Sequence, residues 1–328
     1  MIAHHARGVN SPSCFLCGNT EVRQASMANP GISANPSSVV DRPSETATAT
    51  AFIRALAAHD AREEIRCADY LAEIFLTEER KKPLQDAAVR QWVTKNKLTP
   101  GAYEFMIART AFFDHVVEQS LKENIPQVVF LGAGYDSRPY RFKDWIRATK
   151  IFELDAQPTQ QRKKEQLRQA NVPIPGGLVF VAVDFNTDAL ADVLARAEFD
   201  KNQKTLFVWE GVTYYLSAQV VDNTLRSVRS IAPIDSSICF DYAALSPDAF
   251  EQNETKQLRE KMRSEFAAEP TRFGIPAGTI EQYLTARGFA VKEHMTPDEM
   301  ERKYLVLRDG SSAGKLPGLF CFVRALVN

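Results

Sequence analysis

The chain has 328 residues, of which 40 are Lys or Arg and 41 are Asp or Glu, so its formal net charge is −1. The chain therefore lacks the basic excess typical of many nucleic-acid-binding proteins, and we expect no nucleic-acid partner. No run of about 18 apolar residues is present, so no membrane-spanning helix is expected. The N-terminal sequence MIAHHARGVNSPS lacks the apolar core of a signal peptide, which predicts a cytoplasmic protein.

Residues 1–43 are rich in Ser, Asn, Pro and Ala and have no apolar periodicity, a composition typical of a disordered extension. They contain Cys14 and Cys17, whose C-x-x-C spacing is that of half a zinc site. A complete site needs two more ligands at a comparable spacing, and none follows in the sequence. We therefore expect two free thiols here and no metal.

Residues 44–126 are predicted to form a helical region that covers a ligand site as a lid. Ser44 is typical of an N-cap, and Glu45 is placed at the positive end of the helix dipole. Further helices are predicted near 61–75, 84–95 and 102–122. The last has Phe105, Ala108, Phe112, Val116 and Leu121 at near-helical spacing, which is typical of a buried face.

Residues 127–328 are predicted to form a doubly wound, mostly parallel, Rossmann-like α/β core, because strands and helices alternate there. The predicted strands lie at 127–131, 150–154, 178–183, 205–209 and 237–242, with helices near 158–170, 188–197 and 217–231. A polar helical insertion is predicted near 246–272, followed by the strands FAVKEHM and GLFCFVRAL. In such sheets, ligands bind at the carboxyl ends of the strands.

The first of these strands leads into a glycine turn typical of nucleotide sites. Four consecutive apolar residues, VVFL, are followed by Gly132 and Gly134, which let the backbone turn tightly and approach a ligand. Asp155 ends the next strand about 20 residues later, where an acid accepts hydrogen bonds from ribose hydroxyls. The pattern predicts an adenosine-containing cofactor, although a glycine turn can also serve only to reverse the chain.

The identity of the cofactor depends on the third position of the G-x-G-x-x-G pattern. A dinucleotide site has a third glycine there, whereas this chain has Ser137, followed by Arg138 and Pro139. This favours S-adenosylmethionine over NAD. The alternatives are an NAD-dependent oxidoreductase and a non-catalytic cofactor-binding protein that has kept the fold.

Four segments of the chain resemble the leucine carboxyl methyltransferase-like family of S-adenosylmethionine-dependent methyltransferases, which includes bacterial O-methyltransferases. They are YEFMIARTAFFDHVVEQSL, LGAGYDSRPYR, FELD and VWEGVTYYLS. The resemblance implies O-methylation of a carboxylate or hydroxyl acceptor, either a small molecule or a peptide carboxyl group.

The chemistry of the cofactor assigns roles to several positions. Arg109 is the candidate for its carboxylate, since a guanidinium pairs bidentately with that group, and the resemblance implies the same. An arginine on a helix is otherwise typical of a solvated face. The backbone of Gly132, Ala133 and Gly134 is expected along the methionine and ribose, and Asp155 at the ribose hydroxyls.

Asp184 and Phe185 are expected beside the adenine, where a carboxylate accepts from the exocyclic amine and a ring packs. The resemblance places Glu210 near the methionine ammonium or the transfer centre. Glu210 and Tyr214 are the candidate catalytic residues, Tyr214 as a group that orients the acceptor. A tyrosine in such a turn is also typical of simple packing.

The acceptor stays open, because Thr213 stands where the family often has an apolar residue. Thr213, Tyr214 and Tyr215 are expected to face the acceptor pocket. A carboxylate acceptor needs no general base, since it is ionised at neutral pH. A hydroxyl acceptor needs one, for which His115 and His294 are weak candidates. The oligomeric state is not predicted.

Overall fold

The computed structural model describes residues 42–245 and 272–328. The predicted extension, with Cys14 and Cys17, and the predicted insertion lie outside the described residues, apart from their last one or two positions. The helices are α1 Glu45–Ala58, α2 Glu78–Lys81, α3 Ala87–Asn96, α4 Ala102–Lys122, α5 Arg138–Arg141, α6 Gln157–Gln169, α7 Leu190–Arg196, α8 Ala218–Ile231, α9 Ile280–Thr285 and α10 Pro297–Tyr304. The strands are β1 Gln127–Leu131, β2 Lys150–Asp155, β3 Leu178–Ala182, β4 Thr205–Trp209, β5 Ser237–Leu245, β6 Ile275–Pro276, β7 Phe289–Met295 and β8 Phe320–Val327.

The sheet has the strand order β3-β2-β1-β4-β5-β8-β7, and the short β6 pairs with β5. Strands β1 to β5 are parallel, and β8 runs antiparallel between β5 and β7. Every residue of β1 and β4 is buried, because helices cover both faces of the sheet, and this is why these strands have continuous apolar sequences. The predicted mostly parallel α/β fold is confirmed.

Helix α4 belongs to the core. It presents Phe105, Phe112 and Phe113 to β8, and the ring centroids of Phe105 and Phe320 are 4.9 Å apart, while those of Phe112 and Phe322 are 5.4 Å apart. All five rings are at most 7% exposed. Helix α4 is therefore packed in the core rather than exposed at the surface.

Helix α1 is fixed at its N-terminus as the sequence predicts. The Ser44 side chain accepts a hydrogen bond from the Ala47 N–H at 3.0 Å, which satisfies one of the free donors of the first turn. The Ser44 N–H donates to Thr159 Oγ1, on α6, at 3.2 Å. These bonds place the start of α1 close to the carboxyl end of β2.

The helix predicted near 61–75 is wrong. The segment contains two short 3-10 turns, Glu63–Ile65 and Ala72–Phe75, with Asp69 between them. Asp69 is 2% exposed and forms an ion pair with Arg54 of α1 at 2.8 Å. Its other oxygen accepts from the Ser137 hydroxyl. These tertiary contacts outweigh local helix propensity, which contributes only about 0.7 kcal/mol per ordinary residue.

Among the described residues, no helix has the length and apolarity needed to cross a membrane.

Candidate active site

A cavity of about 430 Å³ opens at the carboxyl ends of β1, β2, β3 and β4, a size typical of small-molecule sites. Its floor is the turn Gly132–Ser137, and the loops after the other three strands form its sides. The N-terminal half of α1 and residue Arg109 of α4 complete the wall. The structure thus brings together all the predicted cofactor residues: Arg109, Gly132, Ala133, Gly134, Asp155, Asp184, Phe185 and Glu210.

The glycine turn is closely packed at Gly132 and Gly134. Gly132 has φ +73°, and a Cβ there would lie 2.6 Å from Val212 Cγ2. Gly134 has φ +45°, and a Cβ there would lie 3.3 Å from Ala47 Cβ on α1. The backbone itself is therefore the wall of the cavity at this point, as a closely approaching ligand requires.

Gly132→Ala is expected to lower the free energy of unfolding by about 1–3 kcal/mol for backbone strain alone, and by more because of the contact with Val212. Gly310→Ala is the matched control, since Gly310 has φ +82° but nothing lies within 4 Å of its added Cβ. Urea unfolding of both variants measures the difference. Equal losses would mean that the turn has space at Gly132 after all.

Asp155 links the glycine turn to the end of β2 by a hydrogen bond. Its Oδ2 accepts the Gly134 N–H at 2.6 Å, and its Oδ1 accepts the Ala156 N–H at 2.7 Å. The carboxylate is therefore held at a fixed position on the cavity wall. On the far side, Asp184 Oδ1 accepts from both the backbone and the side-chain nitrogen of Asn186 at 2.9 and 3.0 Å, which holds the loop that carries Phe185.

Glu210 lies between two buried arginines. Its Oε1 is 3.0 Å from Arg109 Nε, and its Oε2 is 2.7 Å from Arg138 Nη1. Its side chain is 12% exposed, so that part of the carboxylate faces the cavity. The two guanidinium groups fix the orientation of the Glu210 carboxylate.

Arg109 is buried at the cavity wall, which excludes the alternative of a solvated helix face. It is 4% exposed, and its Nη1 is 3.3 Å from the Tyr214 hydroxyl and 3.7 Å from Asp241 Oδ2. Burial alone lowers the pKa of a guanidinium, but the electrostatic interactions of Arg109 with Tyr214, Glu210 and Asp241 outweigh this and raise its pKa. It is permanently charged.

Arg138 was not predicted as a site residue. Its guanidinium forms ion pairs with Asp114 at 2.7 Å and with Asp136 at 2.6 Å, in addition to Glu210. The sequence signal for Arg138 is its place in the D-S-R run directly after the glycine turn. The sequence patterns also did not predict four other residues in or next to the cavity wall: Arg54, Asp69, Arg141 and Asp241.

Tyr214 does not line the cavity. It is 3% exposed, and its hydroxyl contacts Arg109 Nη1 at 3.3 Å rather than the open space of the cavity. Thr213 is also turned inward, since its hydroxyl donates to the Asp241 carbonyl oxygen at 2.6 Å. Of the three residues expected to face the acceptor, Tyr215 lines the cavity.

The two weak candidates for a general base lie elsewhere. His294 Nε2 is 3.0 Å from the Tyr242 hydroxyl, beside a separate open groove, and burial lowers the pKa of its imidazole. His115 of α4 is also absent from the cavity lining. Within residues 42–245 and 272–328, the lining contains no histidine, cysteine or lysine.

The residues present fit S-adenosylmethionine. At the end of the cavity beside α4, buried Arg109 Nε lacks a hydrogen-bond partner in the described structure, and the close approach of Glu210 to Arg109 Nε does not give a well-aligned bond. An amino-acid group can use such unfilled capacity. At the other end, Asp155 and Phe185 provide a carboxylate and a ring for a nucleoside.

Comparisons with known proteins identify the family. Residues 47–229 match the leucine carboxyl methyltransferase family. The chain is 33% identical over 230 residues to the "Putative S-adenosyl-L-methionine-dependent methyltransferase YktD" of Bacillus subtilis, covering 69% of this chain and 73% of that one. It is 32% identical over 197 residues to a protein of the same description, FRAAL3718, from Frankia alni, covering 58% and 66%.

Two solved structures share the fold. A "putative methyltransferase" from Thermobifida fusca superposes with a TM-score of 0.55 at 13% identity, covering 90% of this chain and 100% of that one. A DUF574 family protein from Streptomyces avermitilis has a TM-score of 0.56 at 9% identity, covering 88% and 99%.

The fold, the site and the sequence match define a methyltransferase of Rossmann-like architecture whose cofactor is S-adenosylmethionine. The chain belongs to the leucine carboxyl methyltransferase family. The predicted family, fold class and cofactor are confirmed.

Proposed function

We propose that the protein is an O-methyltransferase that acts on a carboxylate acceptor, a small molecule or a peptide carboxyl group. The observation that carries this proposal is the composition of the cavity wall. Its described part contains no imidazole, thiol or amine, and its five arginines (Arg54, Arg109, Arg138, Arg141 and Arg272) are balanced by five carboxylates (Asp69, Asp136, Asp155, Asp184 and Glu210). A wall without an imidazole, thiol or amine suits a carboxylate acceptor, which enters already ionised and needs no general base.

In this mechanism the protein aligns the two reactants and excludes water. Bound S-adenosylmethionine supplies a methyl group activated on a sulfonium. Asp155 binds the ribose, and Asp184 with Phe185 holds the adenine. Arg109 pairs with the cofactor carboxylate, and Glu210 accepts from its ammonium. Tyr214 is a positioning residue that acts through Arg109.

A hydroxyl acceptor is the second candidate, and the geometry favours it less. It requires a group that takes a proton, and the carboxylate nearest the proposed transfer centre is Glu210. Both oxygens of Glu210 lie against guanidinium groups, Oε1 at 3.0 Å from Arg109 Nε and Oε2 at 2.7 Å from Arg138 Nη1, so they are already engaged within the protein rather than open to an acceptor hydroxyl.

The test is methyl transfer from labelled cofactor to panels of carboxylic acids, peptides with free carboxyl termini, phenols and alcohols. A methyl ester releases volatile methanol in mild alkali, whereas a methyl ether does not. Labelled product that is stable in alkali would refute the carboxylate acceptor. Calorimetric titration with S-adenosylmethionine and with NAD separates the proposal from the oxidoreductase alternative and from cofactor binding without catalysis.

Asp155→Ala is expected to weaken S-adenosylmethionine binding by about 1–3 kcal/mol, the cost of leaving buried polar groups unpaired. The control is Asp309→Ala, because Asp309 also accepts a backbone N–H, that of Ser311 at 2.9 Å, but lies outside the cavity wall. Calorimetry measures both variants. Unchanged affinity in Asp155→Ala would remove Asp155 from the ribose site.

Helix α1 is the proposed lid. Its N-terminal half lines the cavity, and Arg54 Nη2 donates to the Tyr135 carbonyl oxygen of the glycine turn at 2.8 Å. Added cofactor is expected to increase amide protection in Glu45–Ala58, while the buried helix α4 is already protected without it. Hydrogen exchange measures this. If the gain is confined to residues after 127, then α1 is not a lid.

A further inference from the structure

Asp241 is a buried acid in the middle of an apolar strand. It lies on β5 between Phe240 and Tyr242, and it is 0% exposed. Its Oδ1 accepts the Gly211 N–H at 2.7 Å. Its Oδ2 has no hydrogen-bond partner in the described structure and lies 3.7 Å from Arg109 Nη1.

The stability of the fold does not account for this residue. A buried carboxylate loses its hydration, and one imperfect ion pair recovers only part of that cost. Burial accordingly raises the pKa of Asp241 to about 6, even though Arg109 and the Gly211 N–H act to lower it. Retaining a costly polar group at such a position is typical of a functional role.

Apart from its pairing with β8 in the sheet, the contacts of Asp241 lead to the methionine end of the cavity. Gly211, which it binds, directly follows Glu210 and has φ +71°; a Cβ there would lie 3.2 Å from Arg109 Nη1. The main-chain oxygen of Asp241 accepts from Thr213. Asp241 thus fixes the start of the segment 210–213 through its side chain and the end through its backbone, and it adds a second negative charge beside Arg109.

We propose that Asp241 is a positioning residue for cofactor binding, which acts by holding the Arg109 guanidinium and the turn after Glu210 in the geometry that the cofactor's amino-acid end requires. This inference rests on the proposed function. Asp241 does not line the cavity and does not touch the ligand.

The test is Asp241→Asn, which keeps an acceptor for the Gly211 N–H but removes the charge. The affinity for S-adenosylmethionine is expected to fall by about tenfold or more, and the cofactor KM to rise in parallel. The turnover rate at saturating cofactor is expected to change by less than about threefold, since ground-state positioning is lost rather than a transition-state contact. The melting temperature at neutral pH is expected to stay the same or to rise.

Glu301→Gln is the matched control. Glu301 of α10 is also buried, accepts the Leu316 N–H at 2.7 Å and pairs with Lys315 at 2.9 Å, but it is remote from the cavity wall. Its neutralisation is expected to leave the cofactor affinity unchanged. A loss of affinity in Glu301→Gln as large as that in Asp241→Asn would overturn the inference, since neutralising any buried acid would then suffice.

A double-mutant cycle with Arg109→Met identifies the route of the effect. In the Arg109→Met background, Asp241→Asn is expected to change the affinity by less than about twofold. Full additivity of the two changes would overturn the inference, and so would unchanged affinity in the single variant. A wild-type protein that does not bind S-adenosylmethionine would instead refute the proposed function itself.

Discussion

Replacement of Arg138 by methionine is expected to lower the free energy of unfolding by about 3–5 kcal/mol, the usual cost of removing one partner from a buried ion pair. Arg138 is 3% exposed and is shared by Asp114, Asp136 and Glu210. Methionine fills a similar volume but leaves these carboxylates with fewer cations around them. This is the largest stability effect that we expect from a single residue of the site.

Urea unfolding at neutral pH measures this effect. Arg168→Met is the control, since Arg168 pairs with Glu165 on the exposed face of α6 with 73% of its side chain in solvent, and exposed pairs contribute little. Arg138→Lys is expected to be intermediate, because an ammonium keeps the charge but lacks the planar fork that reaches several carboxylates at once. If Arg138→Met is as stable as the Arg168 variant, then the network is solvated and does not organise the cavity.

The features of this protein that could be predicted from the sequence are those determined by residues close together in the chain. Strand β1 has an apolar run because both faces of the sheet are covered, so burial is visible in the four consecutive residues VVFL. The turn at Gly132 needs positive φ, and Asp155 ends a strand beside it. Each is a short-range signal.

The arginine–acid network was not predictable, because its pairs join distant parts of the chain. Asp69 and Ser137 are 68 positions apart, and Arg138 and Glu210 are 72 apart. Nothing local marks such partners. The helix predicted near 61–75 failed for this reason, since Asp69 is held by contacts outside its own segment. Asp241 did have a local signal, a single acid in the apolar run SICFDYAAL, which is unusual for a buried strand.

The sequence also could not predict which side chains of the turn 213–215 point into the cavity. Thr213, Tyr214 and Tyr215 are consecutive in one 3-10 turn, where successive residues point in different directions. Two of the three therefore face the interior and one faces the cavity. The sequence could place the turn beside the site, but only the packing against Arg109 and β5 decides which tyrosine reaches an acceptor.

Arg109→Lys is expected to weaken S-adenosylmethionine binding by about 1.5–3 kcal/mol, the range for hydrogen bonds to charged groups. The variant keeps the positive charge but loses the fork that contacts Glu210 and Tyr214 while presenting N–H groups to the cofactor carboxylate. Arg287→Lys is the control, because Arg287 forms its ion pair with Asp222 away from the cavity wall.

Calorimetry and steady-state kinetics together distinguish the two possible partners of Arg109. If it binds the cofactor, the dissociation constant and the cofactor KM rise together, while the acceptor KM changes little. If it binds the acceptor carboxylate instead, the acceptor KM rises and the affinity for S-adenosylmethionine stays as in the wild type. The second pattern would reassign Arg109 and leave Glu210 alone at the amino-acid end of the cofactor. The cavity wall contains other arginines, such as Arg272. One of these would then pair with the cofactor carboxylate, and the assignment of the cavity as the cofactor site would stand.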